Sequence, residues 1–456
     1  MKRTVLPLLV ALCIAGLGGN VEAVKRPNFV IIFTDDQGYQ DLGCYGSPEI
    51  ATPNLDRMAA EGMRFTSFYA QTICGPSRTA LMTASYPLRV AQDKNRCETH
   101  PVVHSEEITI AEVLEPFGYN SAAFGKWDLA THSQSKWIPE LLPRGQGFDY
   151  FFGTPTSNDR VVHLLRNEEV VERNANMATL TRRYTDEAIQ FIEENKDNPF
   201  FLYLPHTAVH GPLTPGAKFK GKSQDGPYGD WVQEIDWSMG KLFRVLEETG
   251  IDDNTLVLFT SDNGSAREKQ GSNLPLRGRK GRTDEGGMRV PCIVRWPGKI
   301  PAGISSGAIT CTMDLLPTMA RLAGGKAPSD RVIDGKDIWP ILSGKNVDAD
   351  PRDAFFYYQM DQLQAVRSGD WKLFLAMDSK KRNWGKPEGS TVLKLFNLAK
   401  DIHEDNNVAS GNPGVVKRLI AFAEEAREDL GDVDRPGKGQ RKAGWVDKPS
   451  PRLLKK

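Results

Sequence analysis

The chain has 456 residues, which is enough for one large α/β domain with an appendage or for two to three modest domains. Lysine plus arginine and aspartate plus glutamate both count 58, so the formal net charge is zero. This balance excludes a global electrostatic reason to expect nucleic acid or an acidic membrane as a partner, and any charge selectivity must be local.

The first 23 residues have the pattern of a secretory signal peptide. Two basic residues precede a largely apolar stretch, Val5–Leu17, and Val21-Glu22-Ala23 offers a small-residue cleavage site. The alternative is an uncleaved membrane anchor, but the stretch is shorter than the roughly 20 apolar residues that a spanning helix needs. We therefore predict a signal peptide over residues 1–23 and an exported protein, periplasmic or extracellular, without stable membrane insertion.

Apolar runs and helical patterns alternate through most of the chain. The runs that resemble strands buried on both faces are Phe29–Phe33, Phe200–Leu204 and Leu256–Phe259. Apolar residues recur at helical spacing in Leu55–Gly62, Ile108–Phe117, Leu180–Glu194 and Trp231–Thr249. This alternation predicts the α/β class, with a large mixed, mostly parallel sheet flanked by helices.

The pattern changes after about residue 345, where short strand-like segments are followed by a helix near Val415–Asp429. We predict an α/β domain over residues 24–345 and a smaller C-terminal α+β subdomain over residues 346–432. Residues 433–456 hold eight Lys or Arg and two Asp, which predicts an extended basic tail. The tail is either a solvated terminus or a set of cations that packs beside the site and meets an anionic substrate.

Polar residues follow two of the predicted strands directly. Asp35 and Asp36 come after Phe29–Phe33, and Asp262 and Asn263 come shortly after Leu256–Phe259. Because ligands bind beyond the carboxyl ends of strands in open α/β sheets, these oxygen ligands are expected at one sheet edge. Such a set favours calcium or magnesium over zinc. The alternative for any single pair is a turn or a helix cap.

Cys74 is the unusual cysteine. Of six cysteines, five remain after removal of the signal peptide, and an odd number in an exported chain indicates a special thiol. Cys74 opens the segment Cys74-Gly75-Pro76-Ser77-Arg78, where a helix is predicted to begin and its amides favour an anion. A buried structural thiol is the alternative. The pairing of the other cysteines of the exported chain is left open: Cys44, Cys97, Cys292 and Cys311.

Two lysines and a histidine add to this chemistry. Lys126 follows the strand-like Ser121–Phe124, and Lys280 lies in a segment rich in glycine and arginine. A lone lysine is usually a solvated surface charge, but glycine-flanked lysines at strand ends can approach a tetrahedral oxyanion closely. His210 lies in the segment that follows Phe200–Leu204.

These residues together resemble the formylglycine-dependent sulfatase family, which is arylsulfatase-like and part of the alkaline phosphatase superfamily. The resemblance runs from Asn28 to about Asn407. It is carried by Cys-Gly-Pro-Ser-Arg from Cys74, Thr-Asp-Asp-Gln-Gly from Thr34, Ser-Asp-Asn-Gly from Ser261 and Gly-Arg-Lys-Gly-Arg-Thr-Asp-Glu-Gly-Gly-Met-Arg-Val-Pro from Gly278. Ala365–Leu373 and Leu395–Leu398 are similar to the family's C-terminal subdomain.

The resemblance implies a sulfuric ester hydrolase acting on a sulfated glycan. It implies that a formylglycine-generating or sulfatase-maturating enzyme oxidises Cys74 to formylglycine, whose hydrate attacks sulfur. It implies one Ca²⁺, held by Asp35, Asp36, Asp262, Asn263 and the modified Cys74. Arg78 would support the modified residue, Lys126 and Lys280 would bind sulfate oxygens, and His210 would assist the leaving oxygen.

Two positions depart from the family pattern. Gly-Lys-Trp-Asp-Leu-Ala stands where the family has Gly-Lys-Trp-His-Leu-Gly, so Asp128 replaces the histidine expected to assist sulfate release. Asp128 as a carboxylate base is the favoured hypothesis, His132 is a second candidate, and impaired turnover is a third. Ala84 replaces the glycine that commonly closes the signature.

Two other functions compete with hydrolysis of a sulfated carbohydrate. One is hydrolysis of phosphonates or phosphodiesters, and the other is non-catalytic binding of a sulfoglycan. The candidate specificity elements are Gln92–His104, Ser157–Arg160, Arg267 and the basic tail. The sugar, the sulfate position, endo or exo action and the oligomeric state are left open.

Overall fold

A large sheet of 11 strands and a smaller one of 4 strands organise the computed structural model. The structure describes residues 25–90, 103–130, 136–137, 139–159, 161–266, 270–381, 388–433, 435–441 and 452–453. The predicted signal peptide therefore lies outside the described residues. The prediction of a large mixed sheet flanked by helices, with a small C-terminal sheet subdomain, is confirmed; the domain boundaries stay predictions.

The strands are numbered in chain order. The first twelve are β1 (Asn28–Thr34), β2 (Met63–Tyr69), β3 (Asn120–Lys126), β4 (Lys136–Trp137), β5 (Tyr150–Thr154), β6 (Leu164–Arg166), β7 (Glu169–Glu172), β8 (Phe200–Pro205), β9 (Thr255–Ser261), β10 (Arg289–Arg295), β11 (Ile304–Ser306) and β12 (Thr310–Cys311). The others are β13 (Phe355–Gln359), β14 (Gln362–Ser368), β15 (Trp371–Phe374), β16 (Met377–Lys380), β17 (Glu388–Ser390), β18 (Lys394–Asn397), β19 (Gly431–Asp432), β20 (Arg435–Pro436) and β21 (Arg452–Leu453).

The α-helices differ from the predicted ones mainly at their ends. They are α1 (Pro53–Glu61), α2 (Cys74–Thr83), α3 (Pro87–Val90), α4 (Ile110–Leu114), α5 (Leu180–Asn195), α6 (Gly226–Glu248), α7 (Glu285–Met288), α8 (Leu315–Leu322), α9 (Trp339–Leu342) and α10 (Pro413–Asp429). The predicted helix at Ile108–Phe117 is shorter, because α4 changes to a 3-10 turn at Glu115, one residue before a proline.

The centre of the large sheet is parallel, in the order β9, β1, β8, β3, β5. Beyond β9, strand β10 runs antiparallel to both β9 and β2. Because β1, β3, β8 and β9 run the same way, their carboxyl ends meet at one edge. The predicted polar segments follow these four strands.

Residues of β1 alternate between two apolar cores. Phe29, Ile31 and Phe33 belong to one core, and Val30 and Ile32 belong to the other. Both faces of this strand are therefore buried under helices, which explains the unbroken apolar run in the sequence. Asp35 directly follows this buried strand.

The C-terminal sheet, in the order β13, β14, β15, β18, joins the large sheet through a buried charge. Glu285, at the start of α7, accepts hydrogen bonds from Tyr69 at 2.6 Å, Tyr357 at 2.7 Å and Lys372 at 3.0 Å. Lys372 also lies 2.7 Å from Glu404. One carboxylate thus joins β2 to β13 and β15.

The predicted basic tail packs on the protein where it is described. Arg435, Lys438 and Arg441 form ion pairs with Glu424, Glu428 and Glu107, respectively. Carboxylates therefore pair with these three cations. The hypothesis that cations of the tail contact an anionic substrate now concerns only tail residues outside the described chain. No helix in the described chain combines the length and the apolar character needed to cross a bilayer.

Gly153 allows β5 to approach β3 beside Lys126. A Cβ atom at Gly153 would lie 1.8 Å from the backbone oxygen of Gly125, its partner in the register. We predict that Gly153→Ala lowers the free energy of unfolding by about 1 to 3 kcal/mol, because two backbones must move apart. Urea denaturation followed by circular dichroism measures the change.

Gly414→Ala is the matched control. A Cβ atom at Gly414 meets nothing within 4 Å, and the residue lies in the first turn of α10. Its replacement should leave stability unchanged or raise it by up to about 1 kcal/mol, since alanine favours a helix over glycine. Equal stability of the Gly153→Ala variant and the wild type would contradict the predicted collision.

Candidate active site

The polar residues after β1 and β9 are neighbours because the strands pair in parallel, with Thr34 opposite Ser261. The backbone N–H of Asp36 donates to Asp262 Oδ1 at 3.1 Å, and Asn263 Nδ2 donates to Asp36 Oδ1 at 2.8 Å. All three side chains are almost fully buried. The structure thus brings the two polar pairs together at one sheet edge.

Cys74 is the first residue of α2 and lies against the same group. Its thiol donates to Asp35 Oδ1 over 3.5 Å, and Lys280 Nζ donates to its sulfur at 3.2 Å. Burial raises the pKa of the Cys74 thiol well above its usual value. Unmodified Cys74 therefore lacks the thiolate that cysteine nucleophiles use.

Two buried lysines reach the carboxylates. Lys126 Nζ lies 2.7 Å from Asp35 Oδ2, and Lys280 Nζ lies 2.5 Å from Asp36 Oδ1. Burial acts to lower the pKa of Lys126, but the charge of Asp35 overcomes it and holds that pKa well above its usual value. Asp36 raises the pKa of Lys280 against burial in the same way. Both ammonium groups are therefore charged, and both are paired with carboxylates of the site.

Arg78 joins α2 to two of the strands. Its Nη2 lies 2.8 Å from Asp262 Oδ2, and its Nη1 donates to the backbone oxygen of Lys126 at 2.8 Å. Its guanidinium also lies over the ring of Phe33, 5.4 Å from the centroid. Burial and the neighbouring charge of Asp35 raise the pKa of Asp262. The fully buried Arg78 thus stabilises a carboxylate that burial disfavours.

The segment after β8 contains two histidines with different surroundings. His210 Nδ1 donates to the carbonyl oxygen of Gly211 at 2.8 Å, since a carbonyl can only accept. Its Nε2 faces carboxylates, 3.8 Å from Asp36 Oδ2 and 3.6 Å from Asp159 Oδ1. Burial lowers the pKa of His206 to about 3, so His206 is neutral at physiological pH. Of these two histidines, His210 is the one whose ring nitrogen faces the carboxylates of the site.

The donor set fits a hard divalent cation. Ligand atoms of Asp35, Asp36, Cys74 and His210 all lie within 4.8 Å of one another. In the described chain, Asn263 Oδ1 is buried and has no hydrogen-bond partner, which leaves an oxygen available to a cation. Carboxylate and amide oxygens are the ligands that calcium and magnesium prefer. The other two predicted ligands, Asp262 and Asn263, are hydrogen-bonded to Asp36 and so lie next to this group.

Asp128 lies beside Lys126. Its Oδ2 is 3.5 Å from Lys126 Nζ, and its Oδ1 accepts a hydrogen bond from Thr156 at 3.2 Å. Its backbone has φ 58°, in the left-handed region that suits aspartate better than most side chains. Lys126 therefore contacts Asp35 and Asp128 together. His132 lies outside the described residues.

Some site residues were not predicted from the sequence. Ser77 Oγ accepts from the backbone N–H of Gln71 at 2.9 Å and donates to the carbonyl oxygen of Asp262, so it orients the start of α2. Its place in the Cys74 segment was a usable signal. Thr156, the partner of Asp128, had no such signal.

The predicted specificity elements are described only in part. Asp159 lies beside His210, and Asn158 Nδ2 donates to the backbone oxygen of His210 at 3.2 Å. Four elements lie outside the described residues: Arg160, Arg267, residues 92–102 of the predicted loop and most of the tail. The described cysteines are free thiols: Cys44, Cys74, Cys292 and Cys311. Cys97 lies outside the described residues.

Comparisons with known proteins identify the family. The Sulfatase profile matches residues 27–325, and the profile of the N-sulphoglucosamine sulphohydrolase C-terminal region matches residues 280–420. N-acetylgalactosamine-6-sulfatase of Canis lupus familiaris is 41% identical over 398 residues, which cover 80% of this chain and 74% of that protein. Arylsulfatase A of Homo sapiens is 34% identical over 89% of this chain and 87% of that protein.

A solved structure from work on the metabolism of glycosaminoglycans by Bacteroides thetaiotaomicron has the same fold. It superposes with a TM-score of 0.79 at 28% identity, over 88% of this chain and 99% of that chain. The profile match covers more than half of the chain, and the resemblance carried by the Cys74 segment is confirmed. The chain belongs to the sulfatase family of the alkaline phosphatase superfamily and is a sulfuric ester hydrolase.

Proposed function

We propose that this chain hydrolyses sulfate esters on a sulfated carbohydrate, with a formylglycine made from Cys74 by a maturating enzyme and with a bound calcium ion. The observation that carries the proposal is the position of Cys74 at the start of α2. Its Sγ lies 3.2 Å from Lys280 Nζ and 3.5 Å from Asp35 Oδ1. The name of the related N-acetylgalactosamine-6-sulfatase supports a sulfated sugar as the substrate. The predicted export is consistent with extracellular glycans.

Calcium would be held by Asp35, Asp36, Asp262, Asn263 and the modified Cys74. Bound there, it would supply positive charge next to the attacking oxygen. The aldehyde, once hydrated, would supply one hydroxyl that attacks sulfur and a second through which sulfate is released. Magnesium shares the preference for oxygen ligands, but calcium accepts irregular and crowded carboxylate sites more readily.

The two lysines bind the sulfate group in this proposal. Lys126 and Lys280 both contact carboxylates next to Cys74, so their ammonium groups converge on the space in front of it. They balance the negative charge that develops on the sulfuryl oxygens. Arg78, with no exposed surface, is a positioning residue: it holds Asp262 and the backbone of Lys126 in place.

His210 is the proposed acid for the leaving alcohol. The bond from Nδ1 to the carbonyl of Gly211 fixes the ring, so Nε2 is the atom that faces the site. A proton on Nε2 is then directed at the oxygen of the departing sugar. Carboxylate oxygens of Asp36 and Asp159 both lie within 4 Å of Nε2.

Asp128 is the proposed base for the release of sulfate. It stands where the family pattern has histidine, and the contact with Lys126 directs its Oδ2 toward the same site. Thr156 holds Oδ1, which orients the carboxylate. A carboxylate can accept the proton of the second hydroxyl as an imidazole does.

Replacing Cys74 tests the nucleophile. We expect Cys74→Ala to abolish hydrolysis of 4-nitrocatechol sulfate and of a sulfated sugar, because alanine cannot be oxidised to an aldehyde. Mass spectrometry of the peptide that contains residue 74 should find the thiol sulfur replaced by an aldehyde oxygen. Cys292→Ala, at another buried free thiol, is the matched control and should retain activity. An unmodified thiol in fully active enzyme would refute the proposal.

Removal of the cation tests the ligand set. Elemental analysis should find about one calcium per chain, as expected for a single site of this donor type. Calcium at a hundredfold excess over its Kd should stabilise the metal-free protein by about 2.7 kcal/mol in thermal unfolding. Asn263→Ala removes one oxygen ligand and should lose most of this shift. Identical shifts in the variant and the wild type would exclude Asn263 as a ligand.

Asp128 variants test the release step. We expect Asp128→Asn to lower kcat by about 10² to 10⁴, the usual contribution of a general base. Intact mass should then show a sulfated enzyme that accumulates during turnover. Asp128→His should keep substantial activity, because imidazole is the group of the family pattern. An Asp128→Asn enzyme with unchanged kcat would assign the base to another residue.

A further inference from the structure

A surface groove lies between α6, the start of α1 and residues 218–222. It is a shallow depression that is open to solvent, with a volume of about 560 Å³, and its lining in the described chain includes none of the candidate active-site residues. We call it the α6 groove and define it by six side chains: Asn54, Lys218, Phe219, Lys222, Trp237 and Lys241. Its volume is in the range of small-ligand sites, 300 to roughly 1,000 Å³.

The α6 groove is positively charged. Lys218, Lys222 and Lys241 form no hydrogen bond or ion pair through their ammonium groups with any residue the structure describes. The acid in the lining, Asp236, is engaged: its oxygens accept from Asn54 Nδ2 at 2.7 Å and from the N–H of Leu55 at 2.9 Å. Three ammonium groups are therefore available to an anionic ligand.

Two aromatic rings lie among these cations. The Phe219 and Trp237 rings are 5.9 Å apart and inclined at 59°, and both side chains are partly exposed. Lys241 Nζ lies 5.9 Å from the centroid of the Trp237 ring. A pyranose ring has an apolar C–H face that packs on an aromatic ring, while its sulfate groups project from the edge. Rings beside cations fit both parts of such a sugar.

We propose that the α6 groove binds a segment of a sulfated polysaccharide at a second site, separate from the active site. The proposal rests on the proposed function in one respect: the polymer that carries the hydrolysed ester is taken as the ligand. Single-stranded nucleic acid is also a polyanion that stacks on aromatic rings beside cations, so it serves as a competing ligand in the binding test. A lipid surface would need protruding apolar side chains rather than a concave site.

A second binding site would change the kinetics of the enzyme on a polymeric substrate. Once the groove holds one segment, ester groups elsewhere on the same chain meet the active site at a raised effective concentration. The groove should therefore lower KM for a polymer and leave KM for a small sulfate ester unchanged. Polymeric and small substrates thus distinguish the groove from the active site.

Binding is best measured in the Cys74→Ala background, where the polymer is not consumed. The probe is chondroitin sulfate, with chemically desulfated chondroitin as the reference polymer. We expect Lys218→Ala/Lys222→Ala to weaken binding by about three- to tenfold, as for two exposed ion pairs, and to reduce the salt dependence. Trp237→Ala should weaken binding by about tenfold, the loss expected for an aromatic contact.

The matched control is Lys299→Ala/Lys326→Ala. These two lysines are exposed outside the groove, so the variant has the same change in net charge. It should bind the polymer like the parent protein. Activity is measured in the same variants with Cys74 retained, and hydrolysis of 4-nitrocatechol sulfate should be unaffected by any of these changes. Thermal unfolding checks that each variant is folded.

Several results would overturn the proposal. These are equal binding of sulfated and desulfated polymer, equal losses in the groove and control variants, or tighter binding to single-stranded DNA or to phosphatidylserine vesicles. Failure of the proposed function gives a different result: no sulfated sugar would be hydrolysed, while the groove variants would still lose affinity for the polymer. The two proposals therefore fail separately.

Discussion

The site depends on the compensation of buried carboxylates at the edge of the large sheet. Asp35, Asp36 and Asp262 are held within a few ångströms of one another by the parallel pairing of β1 and β9. Like charges at such distances without water repel strongly, and buried charges persist only when they are paired. Lys126, Lys280 and Arg78 supply that pairing.

This compensation connects stability with function. The lysines that stabilise the carboxylates are also the groups proposed to bind sulfate, so an entering anion would compete with the carboxylates for them. A cation bound among the same oxygens would free the lysines from that task. The proposed metal would therefore prepare the site for an anion as well as act on it, and its loss should weaken substrate binding together with catalysis.

The sequence predicted the parts of the structure that depend on local pattern and strand direction. The run Phe29–Phe33 indicated a doubly buried strand, and the polar residues after β1 and β9 indicated a shared edge. The contacts of Thr156 with Asp128 and of Asp159 with His210 join segments that only the tertiary fold brings together. Spacing along a chain carries no information about such pairs. In the sequence, Trp237 likewise has the pattern of an ordinary helical residue, and only the tertiary fold shows that Phe219 packs beside it.

The C-terminal subdomain contacts the segment that carries Lys280, as the large sheet does. Lys280 lies five residues before Glu285, whose carboxylate is bonded by Tyr357 and Lys372 of the small sheet. Burial acts to raise the pKa of Glu285, but Lys372, with Arg367 and Arg289, holds it below its usual value. Because the carboxylate stays charged, loss of Lys372 would leave a buried charge without its nearest cation and would loosen the segment that ends at α7. The small subdomain thus supports the segment that carries Lys280, and none of its described side chains hydrogen-bonds Cys74.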